Sequence, residues 1–256
     1  MKAVLALMLA AFLTGCGGSG SGVSTVPVKT QLLPEPHVPT PTYGTIGGGP
    51  VIVVLALDEA STLHDGGSTG GIVPDLISAG YTVLSLDLPC QGADADPTVS
   101  NPLYCWAKRL AAGDRDFFVR FCSGLSDVLD AAAIKKAGLL GLSRGGYLAT
   151  VCAAYDARFT AIVLENPVTD LNYLTEFKQM PVDESLYNLQ QYIPYLKGRR
   201  KMLSIDKADV RVGASLAISF AQQLGAELEE TDAPNHTITP AVASAAAQWF
   251  VAQGAF

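Results

Sequence analysis

Ser143 stands between two glycines in Gly141-Leu142-Ser143-Arg144-Gly145, with the apolar run Leu139-Leu140 before it and the helix-forming run Tyr147-Leu148-Ala149 after it. A serine hydroxyl is a weak nucleophile at neutral pH. It attacks a carbonyl only with a base in hydrogen-bond reach, itself oriented by a carboxylate. The chain holds candidates for both roles. Its three histidines are His37, His64 and His236, and carboxylates end or follow apolar runs at Glu165, Asp206 and Asp209. The chemistry such a set performs is acyl transfer, with backbone N–H groups stabilising the charge that develops on the carbonyl oxygen.

That chemistry requires a particular local structure. Ala137 to Leu142 is expected as a strand, followed by a sharp turn at Ser143 and a helix that buries Tyr147, Leu148 and Val151. Bulky side chains two residues either side of the serine would collide in such a turn, so glycine is expected at 141 and 145. The turn also sets Ser143 at a helix N-terminus, where unpaired N–H groups favour negative charge.

The rest of the chain alternates in the same way. Strands are expected over Pro50 to Leu57, Gly80 to Asp87, Phe159 to Leu164, Lys201 to Ile205 and Ala226 to Glu230. Helices are expected over Ile72 to Ala79, Asp114 to Ala133, Val212 to Leu224 and Pro240 to Val251, the last opened by proline. Alternation of this kind predicts an α/β fold with a doubly wound, mostly parallel sheet. Ligands of such sheets bind beyond the carboxyl ends of the strands, so the loops after Leu57, Asp87, Leu142, Leu164 and Ile205 should face one cleft.

From about Gly44 to its end the chain resembles the α/β hydrolases, and among them the dienelactone-hydrolase and prolyl-oligopeptidase-like esterases. The residues that carry the resemblance are Gly141 to Gly146, the strand from Gly80-Tyr81 to Asp87-Leu88-Pro89 with Gly92 after it, Pro167 to Asp170, Asp209 to Gly213, and Asn235-His236. The resemblance implies an α/β-hydrolase fold with a small or absent lid and a Ser143, Asp209, His236 triad in that chain order. His64 is the alternative base, although it precedes the serine. Asp206 lies nearer its strand end than Asp209, and Glu165 holds a position where some relatives carry the acid. The implied oxyanion hole combines the Arg144 N–H with a donor near Asp58 or Glu59. Here the chain departs from the pattern, since Leu57-Asp58-Glu59 stands in place of His-Gly and brings two carboxylates toward an anionic site. Between Pro167 and Arg200, the aromatics Tyr173, Phe177, Tyr187, Tyr192 and Tyr195 either form a small lid, line a pocket or pack as core.

Composition bounds the function. With 256 residues, 49% hydrophobic and 16% charged, the chain suits one well-cored α/β domain. A net charge of -7 and the absence of a basic cluster argue against nucleic acid. No paired-cysteine or paired-histidine metal motif occurs, so neither metal nor cofactor is expected.

Residues 1–15 read as an export signal, a charged start followed by a short apolar segment. Leu13-Thr14-Gly15-Cys16 resembles the bacterial lipobox, which implies lipid on Cys16 and attachment to the cell envelope. Residues 16–45, rich in Gly and Ser and then in Pro, read as a tether with a reach of about 25 to 30 Å, and residues 46–256 as the catalytic domain. Export permits disulfides. Cys90 and Cys105, in loop-like polar surroundings, are the expected pair, while Cys122 and Cys152 sit on expected helices as buried thiols.

The leading expectation is an exported, membrane-tethered serine hydrolase acting on small carboxylic esters. A prolyl-oligopeptidase-like peptidase is the alternative, disfavoured because only a tether precedes the domain. A hydrolase-fold binding lipoprotein without catalysis is the other, motivated by the acidic oxyanion loop.

Overall fold

The structure, a computed structural model, describes residues 43–64, 69–180, 183 and 187–254. The expected signal, lipidation site Cys16 and His37 lie outside the described residues.

Seven strands form one sheet in the order β1-β3-β2-β4-β5-β6-β7. They are β1 (Tyr43–Ile46), β2 (Val51–Leu55), β3 (Thr82–Leu86), β4 (Ala137–Leu142), β5 (Phe159–Glu165), β6 (Arg200–Asp206) and β7 (Glu227–Thr231). Only β1 runs antiparallel, pairing Tyr43 with Leu86. The other strands are parallel, with Leu55 beside Gly141, Leu142 beside Glu165 and Glu165 beside Ser204. The chain passes from β2 to β3 on one side and then crosses back over β2 to β4. The strand order therefore reverses between β2 and β4, the place where open sheets form a crevice for ligands.

Both faces of the sheet are covered, which is why the strands read as unbroken apolar runs. On one face Val53, Leu55, Leu139, Ile162, Leu164 and Leu203 pack under α3 (Pro102–Ala111), α4 (Phe117–Ala131), α5 (Arg144–Tyr155) and α7 (Ala214–Leu224). On the other, Ile52, Val54, Leu140, Leu142 and Val163 meet α2 (Ile72–Ser78) and α8 (Pro240–Gln253). Two short helices, α1 (Glu59–His64) and α6 (Thr175–Lys178), lie in loops.

Three expectations need correction. The expected tether, 16–45, overlaps an edge strand, since Tyr43 to Ile46 hydrogen-bond to β3. Helix α3 occupies a region read as loop. Asn101 caps it by accepting the Leu103 N–H at 2.9 Å, Pro102 sits in its first turn, and Leu103, Trp106, Ala107 and Leu110 form its buried stripe. Cys105 is therefore a buried helical residue bonded to an equally buried Cys90. Finally, Cys122 and Cys152 are not free thiols. They form a second disulfide that ties α4 to α5, the helix that follows Ser143.

Candidate active site

The turn at Ser143 is built by exclusion. Ser143 has φ 53° and ψ -117°, strained for a residue with a side chain. The strain is held by backbone hydrogen bonds: its N–H donates to the Glu165 carbonyl at 2.9 Å, and its carbonyl accepts from Gly146 and Val168 at 3.0 Å. A Cβ at Gly141 would lie 2.4 Å from the Gly145 carbonyl oxygen. One at Gly145 would lie 1.8 Å from the Leu55 carbonyl oxygen, so that glycine is required by the neighbouring strand rather than by the serine's own flanks.

His236 reaches this serine from the loop before α8. Its Nε2 is 2.8 Å from Ser143 Oγ, and its Nδ1 is 2.7 Å from Asp209 Oδ2. The other Asp209 oxygen accepts the N–H groups of Arg211 at 2.8 Å and Val212 at 3.1 Å. Burial raises the Asp209 pKa, but the His236 bond and the backbone donors outweigh it, and the carboxyl is held below its ordinary range. Asp209 is thus ionised at neutral pH. Asn235 anchors the histidine loop by accepting the Val210 N–H at 3.1 Å.

The competing residues lie elsewhere. Asp206 is fully buried, and its Oδ1 accepts the Ala208 N–H at 3.0 Å in a local turn. His64 is exposed at the end of α1. Glu165 is fully buried with neither carboxyl oxygen hydrogen-bonded. Burial, assisted by the Glu229 charge, raises its pKa to about 8. A carboxyl that is neutral at pH 7 is unsuited to stabilising an imidazolium.

Glu165 carries a pH prediction. Its folded pKa lies above the 4.5 of an unperturbed glutamate. Its contribution to stability is therefore complete below about pH 4.5 and is lost as the pH rises toward about 8, because the unfolded chain ionises first, at up to about 1.4 kcal/mol per pH unit. Glu165→Gln should flatten the decline in stability between pH 5 and 8, as read from urea midpoints across that range. A variant whose midpoints follow the parent at every pH would contradict the assignment.

The loop after β2 also resolves. Glu59 is not a free donor, since its N–H binds Asp87 Oδ1 at 2.8 Å, and its carboxylate points toward Gly44 of β1. The Asp58 N–H donates to its own carboxylate, whereas the Arg144 N–H at the start of α5 makes no backbone hydrogen bond among the described residues. Asp58 Oδ1 accepts the Ser61 N–H at 2.8 Å, capping α1. Burial raises the Asp58 pKa, yet the Ser61 bonds and the Arg144 charge bring it below the usual value. The two acids feared from the sequence are thus a helix cap and a side chain turned toward β1.

A polar rim was not legible in the sequence. Glu176 of α6 is buried, and one of its oxygens accepts from both Asn101 Nδ2 and Arg211 Nη2, each at 2.6 Å. This joins α3, α6 and the loop carrying Asp209. Of the rim aromatics, Phe177, Tyr187 and Tyr192 pack inward, and Tyr173 and Tyr195 are exposed. The Tyr147 hydroxyl donates to the Tyr187 carbonyl at 3.0 Å, fixing the rim to α5. Among the described residues, no cluster of three or more His, Cys, Asp or Glu side chains is grouped to hold a metal ion.

Comparison with known proteins agrees with this architecture. Residues 118–224 match the model of the prolyl oligopeptidase family, a span that includes Ser143 and Asp209 but not His236. No curated protein matches the chain. Among solved structures, the monoacylglycerol lipase of Paleococcus ferrophilus superposes with a TM-score of 0.58 at 14% identity, covering 84% of this chain and 99% of that one. The enol-lactonase of Burkholderia xenovorans gives 0.55 at 17%, covering 82% and 95%. The acylaminoacyl peptidase of Pyrococcus horikoshii gives 0.57 at 17%, covering 81% of this chain but 37% of that one. The fold is that of the α/β hydrolases.

Proposed function

We propose that this chain is a serine hydrolase that cleaves carboxylic esters through an acyl-enzyme. The observation that carries the reading is the unbroken hydrogen-bonded run from Ser143 Oγ through His236 to Asp209, beyond the carboxyl edge of the sheet. His236 Nε2 takes the serine proton as Oγ attacks the ester carbonyl, and Asp209 stabilises the imidazolium while remaining ionised. The Arg144 N–H serves the oxyanion, and the second donor comes from the loop after β2 only when the Asp58 N–H leaves its own carboxylate. His236 then protonates the departing alcohol. A water, deprotonated by the same nitrogen, attacks the acyl-enzyme to release the acid and restore Ser143.

The match to the prolyl oligopeptidase family favours a second reading, a peptidase on the same triad. One experiment separates them. The purified protein is labelled with a fluorophosphonate and assayed on p-nitrophenyl esters of increasing chain length beside aminoacyl and prolyl p-nitroanilides. Ester turnover with little anilide turnover supports the proposal. Anilide preference transfers it to the peptidase, and failure to label or turn over either class overturns both.

We further propose that Cys16 carries lipid and holds the enzyme at the cell envelope, motivated by Leu13-Thr14-Gly15-Cys16. Intact mass of the membrane fraction should show an acyl increment that Cys16→Ser lacks. Soluble, unmodified mature protein in the native host would refute it.

A further inference from the structure

The main chain of Asp209 is fixed at both ends, its N–H donating to the Asp206 carbonyl and its carbonyl accepting from Ala214, each at 2.9 Å. The direction of its carboxylate is set separately. Oδ1 accepts the N–H groups of Arg211 and Val212, while Oδ2 faces His236. A shift of Arg211 therefore turns the oxygen that meets the histidine. Packing holds this turn on one side only: Val212 is buried, but Val210 is 72% exposed, and Gly213 stands at φ 76°, where glycine gives the backbone most freedom.

The Arg211 side chain supplies the other hold. Its Nη2 donates to Glu176 Oε1 at 2.6 Å, and the same oxygen of Glu176, a residue only 4% exposed, accepts from Asn101 Nδ2 at 2.6 Å. That second donor stands on rigid structure. Asn101 uses its own oxygen to cap α3, and Cys105 of that helix is bonded to Cys90 in the loop after β3. Removing a carboxylate from water is costly, and a buried ion pair is poor evidence of a gain in stability. Here the cost is incompletely offset, since Glu176 Oε2 is buried without a hydrogen-bond partner among the described residues. What the pair does supply is a fixed location for Arg211.

We infer that Glu176, acting through Arg211, is a positioning residue for the triad acid. It holds Asp209 at the angle from which its carboxylate orients His236, and it touches neither substrate nor any reacting atom. The inference rests on the proposed triad. The relay runs from Asn101 through Glu176, Arg211 and Asp209 to His236, each link a hydrogen bond of 2.6 to 2.8 Å.

The test is made on the whole protein with p-nitrophenyl esters. Glu176→Ala is expected to lower kcat by roughly 10- to 100-fold with KM nearly unchanged, the scale of a small misplacement of a catalytic group. Glu176→Gln should stay within about fivefold of the parent, because its amide oxygen still accepts from Asn101 and Arg211 and its NH₂ takes the place of the unpartnered oxygen. The deciding measurement is a double-mutant cycle with Asp209→Asn. Once Asp209 is replaced by asparagine, Glu176→Ala should cost less than about threefold more.

An equal loss of kcat in both backgrounds marks a general effect on the fold and overturns the inference. So does a loss carried by KM, or a Glu176→Gln as impaired as Glu176→Ala. Should Glu176→Ala fail to fold, Arg211→Met is read in the same cycle, since Asn101 still satisfies Glu176 there and the backbone N–H to Asp209 is retained. Should the parent turn over no ester, the proposed function fails by itself, and NMR decides the positioning. The signal read is the low-field proton shared by His236 Nδ1 and Asp209, identified by its loss in Asp209→Asn. A signal that Glu176→Ala broadens or shifts supports the inference, and one that it leaves unchanged, or that the parent lacks, overturns it.

Discussion

Ser143→Ala is expected to abolish fluorophosphonate labelling and to lower ester turnover by about 10³-fold or more, the loss that follows removal of a triad nucleophile. The fold should persist. Alanine adopts the same φ of 53° at similar cost, and the backbone bonds from Ser143 to Glu165, Gly146 and Val168 do not involve the hydroxyl. The variant loses only the bond between Oγ and His236, worth about 0.5 to 1.5 kcal/mol in a partly solvated site. Its Tm should therefore stay close to the parent's. Label incorporation, turnover and Tm measured on one preparation check the expectation, and a folded variant that still hydrolyses esters at the parental rate would end the serine mechanism.

Two neighbouring aspartates should respond very differently to the same substitution. Asp209→Asn is expected to reduce turnover by roughly 10² to 10⁴. The new amide can keep its oxygen toward the N–H groups of Arg211 and Val212, which turns its NH₂ toward His236 Nδ1. That nitrogen must then accept, leaving the imidazole proton on Nε2, where it cannot receive the serine proton. Asp206→Asn should cost less than tenfold, because its Oδ1 accepts only the Ala208 N–H, a bond an asparagine oxygen also makes. Rates over pH 6 to 9 on both folded variants test the pair. A crippled Asp206→Asn beside an active Asp209→Asn would exchange their roles.

Much of this arrangement was legible because it is local. Gly141, Ser143 and Gly145 fall within five residues, and the apolar runs before Ser143, Asn166 and Asp206 announce parallel strands without reference to anything distant. What escaped depends on encounters between remote segments. Tyr43 to Ile46 has no pattern of its own and becomes a strand by pairing with β3, about forty residues later. The Cys122–Cys152 bond exists because α4 and α5 pack together, which their sequences do not specify. Glu59 could be told from Asp58 only through Asp87, whose carboxylate holds the Glu59 N–H. Helix α3 is a different kind of miss, for Asn101-Pro102 followed by Leu103, Trp106 and Leu110 was a readable start and stripe.

The contact between Gly145 and the Leu55 carbonyl has a bearing on how this site could diversify. It sets the first turn of α5 directly on the end of β2, so the distance from Ser143 to the loop holding Asp58 is fixed by atoms already touching. The reacting centre is thus insulated from its surroundings. Exposed positions such as Tyr173 and Tyr195 take no part in that contact. Descendants of this chain could change such outer positions and inherit the attacking geometry unchanged.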